Sequence, residues 1–385
     1  MGNNKPSLSN RNSNIELLRI LCMLAMPMQH YISRGGIVES CEVFNVNNNI
    51  GHFLRSMGYP ALLTFVLISG YFMFGKPFRF KRIVSTVIQT YTYSILFLAV
   101  GFVMGAATLR NAYYAVFETV QGKSYWYIPV YLGMCLIAPI LEPYFVRCTK
   151  KQYQIALSIA VILFFVIPTY SDFNGLKLSQ GVETFLTIYF LGGYIRRFSA
   201  DYRDTITRKR TAAVLAAAIL LSYLTYPAGY VLGVKLLNKI SYKANWGSWL
   251  FDSLVLGMNN IFSLVAGTAF FWLFLTLPPK NNEVVNQIGK HTFGVYLFHE
   301  NEIVRAFLWN SLIDREHFYD SPWFLLHAVA CTLILFAAGV LLDYILSFVY
   351  TALSRMKAAD ALCARVDGVY ALLSQTGGER RGTRA

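Results

Sequence analysis

The chain has 385 residues, of which 55% are apolar or aromatic and only 14% charged, and its formal net charge is +14. A soluble domain carries about 25% charged residues, so the repeated long apolar runs read as membrane spans rather than one buried core. Basic loops that set membrane topology account for the charge; no nucleic-acid-binding motif accompanies it, so no nucleic-acid partner is expected.

Residues 1–13 are polar and read as a disordered cytoplasmic segment. Ser13 and Glu16 form the S-x-x-E pattern of a capping box at the start of an apolar stretch, Asn14 to Tyr31. Ten spans follow from the apolar runs, at 15–33, 52–74, 83–106, 125–146, 152–169, 182–198, 211–233, 254–277, 287–310 and 322–349. The expected fold is therefore all-α, a polytopic membrane helix bundle of about 10 transmembrane helices occupying residues 14–350. With the N-terminus in the cytoplasm, the basic residues fall better than two to one on the cytoplasmic side, which predicts an N-in, C-in chain. Residues 351–385 read as a cytoplasmic tail, first an amphipathic membrane-surface helix and then disorder. The first apolar stretch is too long for the core of a removable signal peptide. The 6 cysteines show no CxxC pairing, so neither a disulfide framework nor a metal site is expected.

Arg19 and His30 lie eleven positions apart in the first span. At about 100° per residue they share one helix face, about 16 Å apart along the axis. Ionisable groups within a membrane are costly and mark functional positions. A planar, permanently charged guanidinium suits a phosphate arriving from the cytosol, and an imidazole accepts a proton near neutral pH. The plainer readings are snorkelling for Arg19 and an interhelical hydrogen bond for His30. Pro27, one turn before His30, is expected to loosen the helix.

Near the end of the second span, Ser69 and Gly70 reach the depth of Arg19, and Arg79, Lys81 and Arg82 follow. A hydroxyl, a closely approachable backbone and three cations make a basic cytosolic mouth for an anionic ligand; a small-residue helix contact beside ordinary loop charge reads the same residues. Trp126 opens the fourth span as an aromatic anchor. The outer loop 234–248 sets Lys235, Lys239 and Lys243 among Tyr242 and Trp246, which suits an anionic sugar chain or an interfacial aromatic belt. In the ninth span His299 comes close to the depth of His30, with Glu300 after it; His299 can orient a substrate, assist His30 or make a packing hydrogen bond. His52, His291, His317 and His327 fall at expected helix ends and read as structural.

These pieces, in this order, resemble the acyltransferase 3 family of integral membrane O-acyltransferases over roughly residues 14–350. The family's R-x10-H pattern falls on Arg19 and His30, and its F-x-x-S-G-[FY] element on Phe65 or Val66 through Tyr71. Its basic R-x-x-R element falls on Arg79 and Arg82, its W-[YF] helix with a later proline on Trp126 and Tyr127 to Pro139, and its YL-x-H element on Tyr296 to His299. The proline that often follows the basic element is absent, with Val84 and Ser85 in its place.

The resemblance implies a multi-pass protein of the bacterial plasma membrane. It would move an acetyl group from cytosolic acetyl-CoA to a hydroxyl of an extracytoplasmic glycan or lipid-linked glycan, such as O-antigen, capsule or exopolysaccharide. His30, Arg19 and His299 are then the catalytic candidates. Ser69, Gly70, Arg79, Lys81 and Arg82 would hold the coenzyme, and Trp126, Tyr242, Trp246 and Glu300 would face the acceptor. No SGNH-hydrolase domain is fused at the C-terminus, so the chain would act either alone or with a separate extracytoplasmic acyl carrier or esterase. A transporter or flippase for a glycan, with no chemistry, is the alternative use of the same polar stripe, although no inverted repeat is visible.

Overall fold

The structure, a computed structural model, describes residues 12–34, 45–170, 181–237, 258–314 and 316–375. Among these residues 84% are helical and none lies in a strand. Among the described residues six helical segments have the length and apolar composition to cross a membrane: Val46–Met73, Lys81–Val103, Tyr127–Arg147, Lys150–Thr169, Arg208–Leu232 and Phe324–Ser354.

The other expected spans differ for local reasons. Helix α1 (Ser13–Arg34) fills the first span and runs on through Pro27, but Glu16, Arg19, Gln29 and His30 dilute its apolar content. The expected capping box does not form. Asn12 accepts from the Asn14 amide at 3.1 Å, while the Ser13 hydroxyl pairs with Asn286 at 2.8 Å. The second span is two helices, α2 (Val46–Arg55) and α3 (Gly58–Met73). After α4 (Lys81–Val103) comes a short amphipathic helix, α5 (Leu109–Val116), which the apolar-run reading did not anticipate. Helix α6 (Tyr127–Arg147) is followed by α7 (Lys150–Val161), which continues through a π turn at Ile162–Val166. Then come α8 (Val182–Phe198), α9 (Arg208–Gly229) and α10 (Ile261–Leu275).

The ninth expected span is broken into α11 (Glu283–Lys290), α12 (Thr292–His299) and α13 (Glu302–Phe307). The Asn301 side chain accepts from the Ile303 amide at 3.1 Å and starts α13 afresh, which leaves Glu300 at the break. Helix α14 (Phe324–Ser354) and helix α15 (Lys357–Gln375) complete the chain. On α14, Leu326, Ile334, Leu341, Ile345 and Phe348 are exposed, while Asp343 on the opposite face is buried. So wide an apolar surface suits lipid rather than water.

Small residues let the central helices touch. A Cβ on Gly70 would overlap the Tyr189 backbone of α8, and one on Gly192 would sit 2.6 Å from the Leu67 carbonyl oxygen of α3. Close backbone approach of this kind drives helix association in lipid. Gly70→Val is therefore expected to lower stability by about 1–3 kcal/mol through overpacking, with Gly70→Ala intermediate. A melting curve in detergent checks this; an unchanged midpoint for the valine variant would remove the crossing as the reason for glycine.

Candidate active site

His30 on α1 and His299 at the end of α12 meet, with Nδ1 of His30 3.0 Å from Nε2 of His299. Their order of donation follows from a third group. Nδ1 of His299 lies 2.6 Å from the carbonyl oxygen of Val295, which can only accept. His299 therefore carries its proton on Nδ1, and its Nε2 is an acceptor. His30 in turn donates from Nδ1, which leaves its own Nε2 with a free lone pair. The His30 side chain is 15% exposed and lines a cavity of about 350 Å³.

Glu300, fully buried, stands beside this chain. Its Oε2 binds Arg34 at 2.7 Å and lies 3.8 Å from Arg305. Its Oε1 lies 3.2 Å from Nδ1 of His30 but makes no hydrogen bond. That oxygen is placed to stabilise an imidazolium at His30 without competing for the proton beforehand. His30, His299 and Glu300 also offer three ligand-type atoms within 4.8 Å of one another. A metal there would have to displace the bond between the two rings.

The cavity has an apolar floor of Met23, Met26, Leu62 and Phe65 and a wall of Tyr59, Trp126, Tyr127 and Tyr296. Trp126 is brought here by its neighbours. Glu118 accepts from the amides of Ser124 and Tyr125 at 2.8 and 2.7 Å, and burial pushes its carboxyl above its ordinary range. Gly122 turns the chain at φ 59°, the left-handed region that glycine enters freely. The Tyr125 hydroxyl then donates to the Leu297 carbonyl at 2.8 Å, tying the start of α6 to the helix that ends in His299.

The remaining expected site residues lie apart from this centre. Arg19 is 3.4 Å from Glu16, and its charge is felt at Tyr127 in the cavity wall. Gly70 faces the Tyr189 backbone, and the Ser69 hydroxyl donates to the Phe65 carbonyl at 3.3 Å. Arg79 and Arg82 are exposed, and Arg82 is within electrostatic range of Tyr131, Cys135 and Glu142. Lys81 is bound to α15 through Asp360 at 2.5 Å and to the end of α14 through the Ser354 carbonyl. Helix α15 also stacks Tyr370 on Phe78 at 3.9 Å and accepts the Phe80 amide on Asp367 at 2.6 Å, so it packs against protein beside the basic segment. Tyr242 and Trp246 lie outside the described residues, as do Lys239 and Lys243.

Sequence reasoning passed over Arg34, Arg55 and Tyr59, all of which line the cavity. Arg34 was within reach of it, since it follows His30 by one helical turn and so shares its face. Arg55 and Tyr59 flank the break between α2 and α3, and apolar runs do not register such a break.

Among the described residues this is a helical membrane protein in which the buried His299 meets His30 at the wall of a cavity. The chain belongs to the acyltransferase 3 family: the profile of that family, an acyltransferase domain, matches residues 12–343. No curated protein and no solved structure matches it.

Proposed function

We propose that this chain transfers an acetyl or related acyl group from cytosolic acetyl-CoA to a hydroxyl of an extracytoplasmic glycan. The observation that carries the reading is the ordered proton chain from Val295 through His299 to His30, which leaves Nε2 of His30 as a free base at the cavity. In the reaction, Nε2 of His30 removes the proton of the acceptor hydroxyl as its oxygen forms a bond to the thioester carbonyl carbon. The carbon–sulfur bond then breaks, and the imidazolium returns the proton to the leaving thiolate. The Oε1 of Glu300 stabilises the intervening imidazolium, and the cavity holds both reactants at close range.

Ten spans with both termini in the cytoplasm supply the direction. Arg19 and the exposed Arg79 and Arg82 then stand on the donor side, and Arg34, Trp126 and the outer ends of α1 and α2 on the acceptor side. The bacterial plasma membrane is the location this reading requires, with O-antigen, capsule or exopolysaccharide as acceptors and a separate acyl carrier or esterase as a further partner. The test is reconstitution in proteoliposomes with labelled acetyl-CoA on the side of the termini. Label should appear on a glycan supplied on the opposite side. Movement of unmodified glycan without labelling would replace the reading with transport.

A further inference from the structure

A second, smaller pocket opens beside the cavity, with Arg55 and Tyr59 in the wall common to both. It holds about 30 Å³ and is lined by His52, Ser56, Tyr226, Asn260 and Ser263 as well. Two of its polar atoms are buried without hydrogen-bond partners, Nε2 of His52 and Nε of Arg55. His52 is only 5% exposed, and its ring stacks on Tyr226 with centroids 3.3 Å apart. It is held rigidly with an unused nitrogen, and buried nitrogens of this kind are normally paired.

The charges nearby are uneven. Glu300 answers Arg34 and Arg305, but among the described residues no carboxylate pairs with Arg55. A guanidinium with a buried unpaired N–H beside an unpaired imidazole nitrogen is a receptor for a small planar anion. The volume decides the size. About one water-sized probe needs 10–15 Å³, so the pocket takes two or three oxygen-sized atoms and not a sugar ring.

We propose that this pocket binds the carboxylate of an acidic sugar, a uronic acid, whose ring lies in the main cavity against Tyr59 and Trp126. The proposal rests on the acyl-transfer reading for the identity of that sugar as the acceptor, because that reading puts the coenzyme's phosphates at the other end of the bundle. It makes the acceptor an anionic polysaccharide, with the carboxylate setting which hydroxyl faces His30.

Binding tests it without requiring turnover. Protein in nanodiscs is titrated with a glucuronate-containing disaccharide, its carboxyl-reduced counterpart and a hexose phosphate, and tryptophan fluorescence is followed. Wild type should bind the uronate about tenfold or more tighter than the reduced sugar, as loss of a charged hydrogen bond implies. Arg55→Gln should bring that ratio close to one, and Arg55→Lys, which keeps the charge and guards against misfolding, should retain part of it. Equal binding of all three sugars by wild type, or a preference that survives in Arg55→Gln, overturns the proposal. A phosphate preferred over the uronate overturns the carboxylate assignment. Sugar binding as expected with no acyl transfer would sink the transfer reading and leave the pocket standing. Transfer to acidic and neutral sugars alike would do the reverse.

Discussion

His30→Ala is expected to lower acyl transfer by about 10²–10⁴-fold, the usual contribution of a positioned general base. The alanine removes the nitrogen that faces the cavity, and no other described histidine lines that cavity. His299→Ala should cost less, about 10–100-fold, as loss of a partner that orients a functional imidazole does. His30 would keep its basic nitrogen but lose the acceptor that holds its proton on Nδ1, so its free lone pair would no longer point reliably at the cavity. The order of the two effects is the informative result. Transfer to glycan is measured in proteoliposomes at matched amounts of inserted protein. Full activity in His30→Ala would dismiss it as the base. A larger loss in His299→Ala than in His30→Ala would exchange their roles.

The opening residues of this chemistry were partly legible. Helical periodicity alone puts Arg19 and His30 on one face, and counting from helix ends puts His299 at a similar depth. Their contact is consistent with that matching of depth. What periodicity cannot register is which face of one helix meets which face of another. Position alone reads Trp126 as an interfacial anchor, because tryptophan at a span's end commonly is one, and only the family resemblance sets it facing the acceptor. In the structure, Glu118, Gly122 and Tyr125 turn it onto the cavity wall instead. The basic segment shows the converse. Lys81 has the charge and position of a ligand-binding residue, but its partner Asp360 is 279 residues away in the chain.

Helix boundaries show a similar division. Long apolar runs such as that of α14 report a span directly. The ninth run carries more polar residues, among them Lys290, His291, Glu300 and Asn301, and is cut twice, because these groups find partners better met at helix ends. His291 closes α11 and reaches the buried Asp343, while Glu300 closes α12 and reaches Arg34. His291 and His327 do bridge helices, as structural histidines should, through Asp343 at 2.7 Å and Tyr31 at 2.7 Å. His52 shares their position near a helix end, but its Nε2 has no such partner.

Asp343→Ala is expected to destabilise the protein by on the order of 3–5 kcal/mol, the cost of leaving buried polar partners unanswered. The carboxylate is fully buried on α14 and accepts from four side chains. Gln89 and Tyr93 reach Oδ1 at 2.8 and 2.9 Å, while His291 and Tyr350 reach Oδ2 at 2.7 and 3.0 Å. Alanine would strand all four. An asparagine substitution is a different matter, because the two oxygens face unlike groups. If Asp343→Asn keeps its carbonyl oxygen towards Gln89 and Tyr93, its amide meets an imidazole and a phenol, both of which can accept as well as donate. Asp343→Asn should therefore fold with only a small loss, unlike the alanine variant. The pair also bears on function through α12. Asp343 holds the residue before that helix, and His299 ends it one helix-length later. Partial melting of this network should thus loosen His299 before the rest of the bundle opens. Thermal denaturation in detergent, with acyl transfer followed on the same samples, measures both. An asparagine variant as unstable as the alanine one would mean that the network needs the negative charge and not merely its hydrogen bonds.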